Sequence, residues 1–364
     1  MFSDFTVKNR MESVRGFTSG FDYLRLFLAL SVLAWHTIGI TISPDFSNGL
    51  LHDPLIRAPI RLILPLFFAL SGFLVSSSYD RTHSVKVFLG LRIIRILPAL
   101  VVEICLSALI LGPLLTTFSL RQYFTDPDFS KYLLNVFGIV HFNLPGVFLQ
   151  NICEKMVNGS LWTVPFELEC YVTLTALMIT RLYSRRRFLI AAFAVITAVV
   201  FWLTKDDAPA IVFQSLPGRM LILNFLAGVI LYRIRDFLPY DKKLFLLCLA
   251  VSFGLMDHKY LIFLSPLPLA YVTVFLGLAN PKKLPVLFTG DYSYGIYLYA
   301  FPIQQMTAQL ITTKWYLHLL VATTLTGLFA AFSWHFIEKP AQQLKRKLLK
   351  KPAEPIVQLE KRAA

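Results

Sequence analysis

Residues 21–42 read FDYLRLFLALSVLAWHTIGITI, an apolar run in which Asp22, Arg25 and His36 are the groups able to carry charge near neutrality. About 20 residues of this kind, wound as a helix, cross the hydrocarbon core of a bilayer. The run follows a polar start and has no small-residue cleavage site, so it reads as a retained span rather than a signal peptide. Segments of the same character recur at 60–78, 97–117, 161–180, 188–204, 218–232, 243–256, 260–279, 290–312 and 316–337. The sequence therefore predicts an all-α, polytopic membrane protein with about ten transmembrane helices.

Composition agrees. Of 364 residues, 56% are hydrophobic and 15% charged, with a mean hydropathy of +0.62. A soluble domain carries about 25% charged residues, so two water-soluble bodies would lack polar surface to cover them. Disorder, a disulfide scaffold and a fibrous repeat are excluded on the same grounds. No internal repeat or low-complexity tract is visible. One membrane domain is expected over 1–340, followed by a basic cytoplasmic tail over 341–364.

The net charge of +14 raises the question of nucleic acid, and the placement of the basic groups answers it. With the N-terminus inside, 26 of the 35 Lys and Arg residues fall on the cytoplasmic side. That bias orients membrane proteins, and it places both termini in the cytoplasm. The surplus then belongs to topology and anionic lipid, and no nucleic-acid partner is expected. The cysteines Cys105, Cys153, Cys170 and Cys248 show neither disulfide pairing nor metal spacing, and no metal is expected. On the inner side, SVKVFLGLRIIRILPAL (84–100) reads as an interfacial amphipathic helix that turns into the third span near Pro98. The outer segment 118–160 has room for short interfacial helices.

Ionisable groups inside spans are costly and point to function. Arg25 and His36 lie about 16 Å apart along the first span. Arg25 can snorkel at the interface, and His36 can be a hydrogen-bonded structural residue or a general base. In SLWTVPFELECY (160–171), Glu167 falls at a depth near that of His36 and shares a face with Thr163 and Tyr171, while Glu169 points away. Glu167 is thus the carboxylate expected to meet the histidine, the alternative being a buried acid paired with an arginine. Arg92 and Arg95 project from one helical face, suiting a phosphate or simply lipid headgroups. Glu103 is placed to pair with an arginine. Ser71 and Gly72 allow close helix packing or line a narrow channel. Asp291 is placed to cap the ninth span, where Tyr294 and Tyr297 share a face above the inner interface.

Taken in order, these motifs carry a resemblance. Arg25 with His36, FFALSGFL (67–74), Arg92 with Arg95, SLWTVPFELECY, DYSYGIYLYAFPI (291–303) and the closing WHFIEKP (334–340) resemble the acyltransferase-3 family of integral-membrane O-acyltransferases over nearly the whole chain. One departure is Ala300, where the family often has histidine, leaving His36 as the main catalytic candidate. The resemblance implies acetyl-CoA as the acyl donor, a substrate bound from the cytoplasm. Its phosphates would meet Arg25, Arg92 and Arg95, and its pantetheine arm would run past Ser71 and Tyr294 toward His36. It also implies a carbohydrate or glycolipid acceptor, membrane lipids as neighbours and the bacterial cytoplasmic (inner) membrane as location. Glu167 would hold the imidazole tautomer, and His36 would act as base or as transient acetyl carrier. The competing functions are a transporter or flippase of a lipid-linked glycan, and a membrane scaffold without catalysis.

Overall fold

Helix formation here follows from long runs of Leu, Ile, Phe and Ala with few backbone-competing side chains, and the starts are capped by short polar residues. Asp53 accepts from the amide of Leu55 ahead of Pro54, Ser84 from that of Val87, and Asp241 from those of Lys243 and Leu244. A computed structural model describes residues 5–14, 18–207, 216–284 and 290–345. The tail beyond Lys345, and with it most of the expected segment 341–364, lies outside the described residues. Every one of the ten apolar segments forms a helix. They are α1 (Ser19–Thr41), α2 (Pro54–Asp80), α3 (Val85–Leu106), α4 (Val164–Ile179) and α5 (Arg186–Thr204). Then come α6 (Met220–Arg233), α7 (Lys242–Asp257), α8 (Pro266–Gly277), α9 (Ser293–Leu310) and α10 (Trp315–Ser333). Among the described residues there is no strand, and this is an all-α membrane protein. Five segments are long and apolar enough to cross a membrane by length and composition: α1, α2, Val85–Leu115, α5 and Trp315–Gln343; α6 and α8 are shorter apolar helices.

The centre of the bundle is α6, buried from Met220 to Tyr232. A helix apolar all round belongs in an interior, and α2 packs along its length. Their backbones touch at two glycines. A Cβ on Gly72 would overlap the Phe225 carbonyl, and one on Gly228 would overlap the carbonyl of Ala69. Small residues at such crossings replace hydrophobic drive with close van der Waals contact. Gly72→Val is therefore expected to separate α2 from α6, seen as loss of monodisperse protein on gel filtration in detergent, with Gly49→Val, where nothing lies within 4 Å of the added carbon, as the tolerated control.

Pro98 does not turn the chain, contrary to the sequence expectation. α3 runs straight through it and continues as a π-helical turn at Ser107–Leu111 and a short helix to Leu115. Two tyrosines of α9 support the backbone around the proline: Tyr294 donates to the Ile96 carbonyl (3.2 Å) and Tyr299 to that of Ala99 (3.2 Å). The carbonyl that Pro98 leaves without an amide donor is that of Ile94, four residues back, so these two bonds dock α9 onto α3 rather than replace the missing one. The consequence is positional. Arg92 and Arg95 belong to a spanning helix and are carried up into the bundle instead of lying along its surface. At the far end, α10 passes into a π-helical turn at Trp334–Glu338 and a short helix at Lys339–Gln343. The outer segment holds short helices at Leu120–Thr125 and Pro127–Leu133 and 3₁₀ turns at Leu134–Phe137 and Gly159–Thr163.

Candidate active site

Four helices bring the ionisable residues together. α1 carries Arg25 near its start, α3 carries Arg92 and Arg95, α4 carries Glu167, and Asp291 precedes α9. Between them lies a mainly apolar cavity of about 180 Å³. Arg25, Arg92 and Arg95 line it together with Ser71, Glu167 and Tyr294, so six of the seven residues singled out from the sequence face one space. The same three arginines also line a wider vestibule of about 510 Å³, which reaches the start of α1, the end of α2 and the short helix at Lys339–Gln343. The cations gathered there mark the side that the charge bias of the sequence predicts to be the inner one.

The arginines are not equivalent. Arg95 Nη2 lies 2.9 Å from Asp291 Oδ2 and its Nη1 3.0 Å from Glu338 Oε2, while its guanidinium rests over the Tyr294 ring at 5.3 Å. Arg25 Nη1 reaches the same Asp291 oxygen at 3.4 Å. Asp291 therefore serves as a shared counter-charge. It stands one residue before the N-cap of α9, Tyr292, and its carboxylate also takes hydrogen bonds from the hydroxyl and the backbone of Ser293 at the helix start. Glu338 is 2% exposed, placed inward by the π-helical turn and held also by Ser333 Oγ at 3.3 Å. Arg92 forms no ion pair among the described residues, and its buried Nε has no hydrogen-bond partner there. Its guanidinium is hydrogen-bonded with Tyr171 and lies over the Phe88 ring at 5.9 Å, so among the described residues it is the one of the three arginines held by no carboxylate.

Glu167 does not meet His36. Its Oε1 accepts from Tyr171 Oη at 2.7 Å, and the charges facing it are Arg92 and Arg95. The buried acid beside arginines, kept open as the alternative, describes its surroundings. The reason is the height of α3: once that helix is continuous through Pro98, its arginines rise to the level at which α4 places Glu167. Glu169 points outward to Arg219, at 4.0 Å. Glu103 likewise meets no arginine; it accepts from Asn158 Nδ2 (2.8 Å) and Ser107 Oγ (2.9 Å), tying the outer segment to α3.

His36 is 4% exposed, and its ring stands edge-on to Phe301, with centroids 5.1 Å apart. It is not among the residues lining the cavity. Tyr297, which does line it, sits one helical turn before Phe301 on α9, a rise of about 6 Å. The Tyr297 hydroxyl lies 2.7 Å from Thr163 Oγ1 and packs its ring against Phe67. An aromatic step thus separates the cavity from the histidine. Beyond it, Gln304 donates to the Leu33 carbonyl and to Thr37 Oγ1 and accepts, through its own carbonyl, the contact of His318 Nε2 at 2.9 Å. Sequence reasoning passed over His318 and Glu338, whereas Tyr171, placed on the face of Glu167, does bond to it. A glutamate within WHFIEKP was the available signal. Among the described residues no three His, Cys, Asp or Glu side chains are grouped to hold a metal.

Fold and site together define a multi-pass membrane protein with a cluster of ionisable side chains inside its helical bundle. A family model for an acyltransferase domain matches residues 18–337, and the chain belongs to that acyltransferase-3 family. It is thus a membrane O-acyltransferase. It is similar to an O-acetyl transferase of Shigella phage Sf6, at 25% identity over 88% of this chain and 94% of that protein. It is also similar to nodulation protein 10 of Rhizobium leguminosarum bv. viciae, at 32% identity over 93% of this chain and 97% of that one. No solved structure matches it.

Proposed function

We propose that the protein transfers an acetyl group from acetyl-CoA, entering from the cytoplasm, to a hydroxyl of a carbohydrate at the outer side of the bacterial inner membrane. The observation that carries this is the narrow apolar cavity with three arginines at its inner mouth. An apolar bore with cations at one end suits a slender arm ending in phosphates. In the reaction, the acceptor oxygen attacks the thioester carbonyl carbon, the carbon–sulfur bond breaks, and the thiolate of CoA leaves. His36 takes the proton of the attacking hydroxyl, and a proton returns to the sulfur. In the other order of events, His36 first accepts the acetyl group and then passes it to the acceptor. The name of the phage relative favours O-acetyl transfer. Tyr297 and Phe301 must give way for the thioester to meet the imidazole, a local side-chain motion of the kind that gates many enzymes.

The test is direct. Protein purified in detergent, or inserted in vesicles, should release CoA from acetyl-CoA in an acceptor-dependent way, and mass spectrometry of surface glycans should lose an acetyl mass when the gene is removed. Movement of a lipid-linked sugar across vesicles without consumption of acetyl-CoA would establish the transporter instead.

Glu167 offers a sharper discrimination. Set against Arg92 and Arg95, it opposes a bound phosphate by like charge. Glu167→Gln is expected to lower KM for acetyl-CoA a few-fold, with kcat changed by less than about tenfold. A fall in kcat of about 10²–10⁴-fold, the size of a general acid–base contribution, would return Glu167 to the histidine.

A further inference from the structure

The vestibule below the three arginines has a wall that the family match does not include. That match ends at residue 337, yet Gln342 and Lys345 line the vestibule, as does Arg81 at the end of α2. Lys345 Nζ donates to Gln342 Oε1 at 3.1 Å and forms no ion pair among the described residues. The charged groups facing it across the space are Arg95, Arg92, Asp291 and Arg25. Asp22 and Arg81 complete the charged lining. Cations outnumber carboxylates here, and a half-buried lysine held among arginines is an unfavourable arrangement until an anion joins it. Its ammonium is accordingly pushed down to about 8, first by burial and then by Arg95 and Arg92.

The geometry points to Lys345, with Arg81, as the subsite for the ribose 3′-phosphate of the donor, so that the segment after the last helix reads the nucleotide end of acetyl-CoA. The inference rests on acetyl-CoA being the donor. Its ground is a match of order. Along the donor run the thioester, the pantetheine arm, the diphosphate and then the phosphorylated ribose. Along the protein run the apolar cavity, the arginines that line both spaces, and then the vestibule with Lys345 and Arg81. If the diphosphate occupies the shared arginines, the next anion of the ligand falls where the next cations stand. A compact ammonium on a flexible stem suits a terminal phosphate approached from one side.

The experiment compares acetyl-CoA with acetyl-dephospho-CoA, which lacks that phosphate, in wild type, Lys345→Met and Lys345→Arg. In wild type the dephospho donor should have a KM about 10-fold higher, the loss of one charge-assisted contact. Lys345→Met should raise KM for acetyl-CoA to the same level, hardly move KM for the dephospho donor, and leave kcat for both; Lys345→Arg should retain the discrimination. The wild-type KM for acetyl-CoA should also climb between about pH 8 and 9.5, as the lysine loses its proton, and stay flat in Lys345→Arg. Equal effects of Lys345→Met on both donors, or none, overturn the assignment. So does an effect confined to vesicles containing anionic lipid, which would give the lysine to a lipid headgroup phosphate. A wild-type enzyme that consumes no acetyl-CoA overturns the donor itself, a result distinct from all of these.

Discussion

His36→Ala is expected to abolish acyl transfer, by about 10³-fold or more, while leaving an inserted and stable protein. General acid–base catalysis contributes about 10²–10⁴-fold, and a covalent carrier role makes the loss larger still. Alanine removes a buried ring that packs edge-on to Phe301, a cost of about 1 kcal/mol for the pair and roughly 2 kcal/mol more for the cavity left behind, which the thermal control reads separately from the kinetic effect. The measurement is CoA release by purified variant, with thermal unfolding in detergent as the control. Normal turnover by a stable His36→Ala protein would remove the imidazole from the chemistry.

Arg95→Met should be the most damaging change at the inner mouth, and through two separable effects. It leaves Asp291 and Glu338 without their closest cation, and stranding a buried charge costs about 3–5 kcal/mol. It also removes a donor fork from the mouth of the cavity. Arg95→Met with Glu338→Gln should regain much of the thermal stability, because the neutral amide no longer needs the partner, but not the affinity for acetyl-CoA. Arg92→Met should show the reverse balance: little thermal loss, since Arg92 holds no ion pair among the described residues, and a KM for acetyl-CoA raised by at least about tenfold. Isothermal titration with acetyl-CoA and thermal unfolding on the three variants separate the cases. If the double variant binds donor like wild type, Arg95 is a structural ion-pair residue alone.

The ten helices were legible because hydrocarbon enforces a length and a composition that a chain cannot disguise. The inner cluster was legible in its members, since an arginine every third or fourth residue marks one helical face whatever surrounds it. What the sequence does not show is which groups Glu167 meets, because a shared depth on two separate helices does not make His36 and Glu167 neighbours. In the structure α3 passes through Pro98 without breaking, lifts Arg92 and Arg95, and claims Glu167 for them. A proline signals a missing amide donor, but it does not reveal that Tyr294 and Tyr299 of another helix stand beside it. Glu338 was hidden for a related reason: a π-helical turn shifts which residues face inward, and no hydrophobic period betrays it. Lys345 looked like a lipid anchor because a basic tail has that meaning by composition, and only the position of the last short helix sets it against the vestibule.

The stretch of α9 from Tyr297 to Phe301 carries an electrical consequence. On the proposed reading an acetyl group passes from the donor space toward the imidazole, and an open bore along that route would leak protons and ions. Tyr297 at the cavity wall and Phe301 edge-on to His36 stand where such a bore would have to run, and would close it against ions.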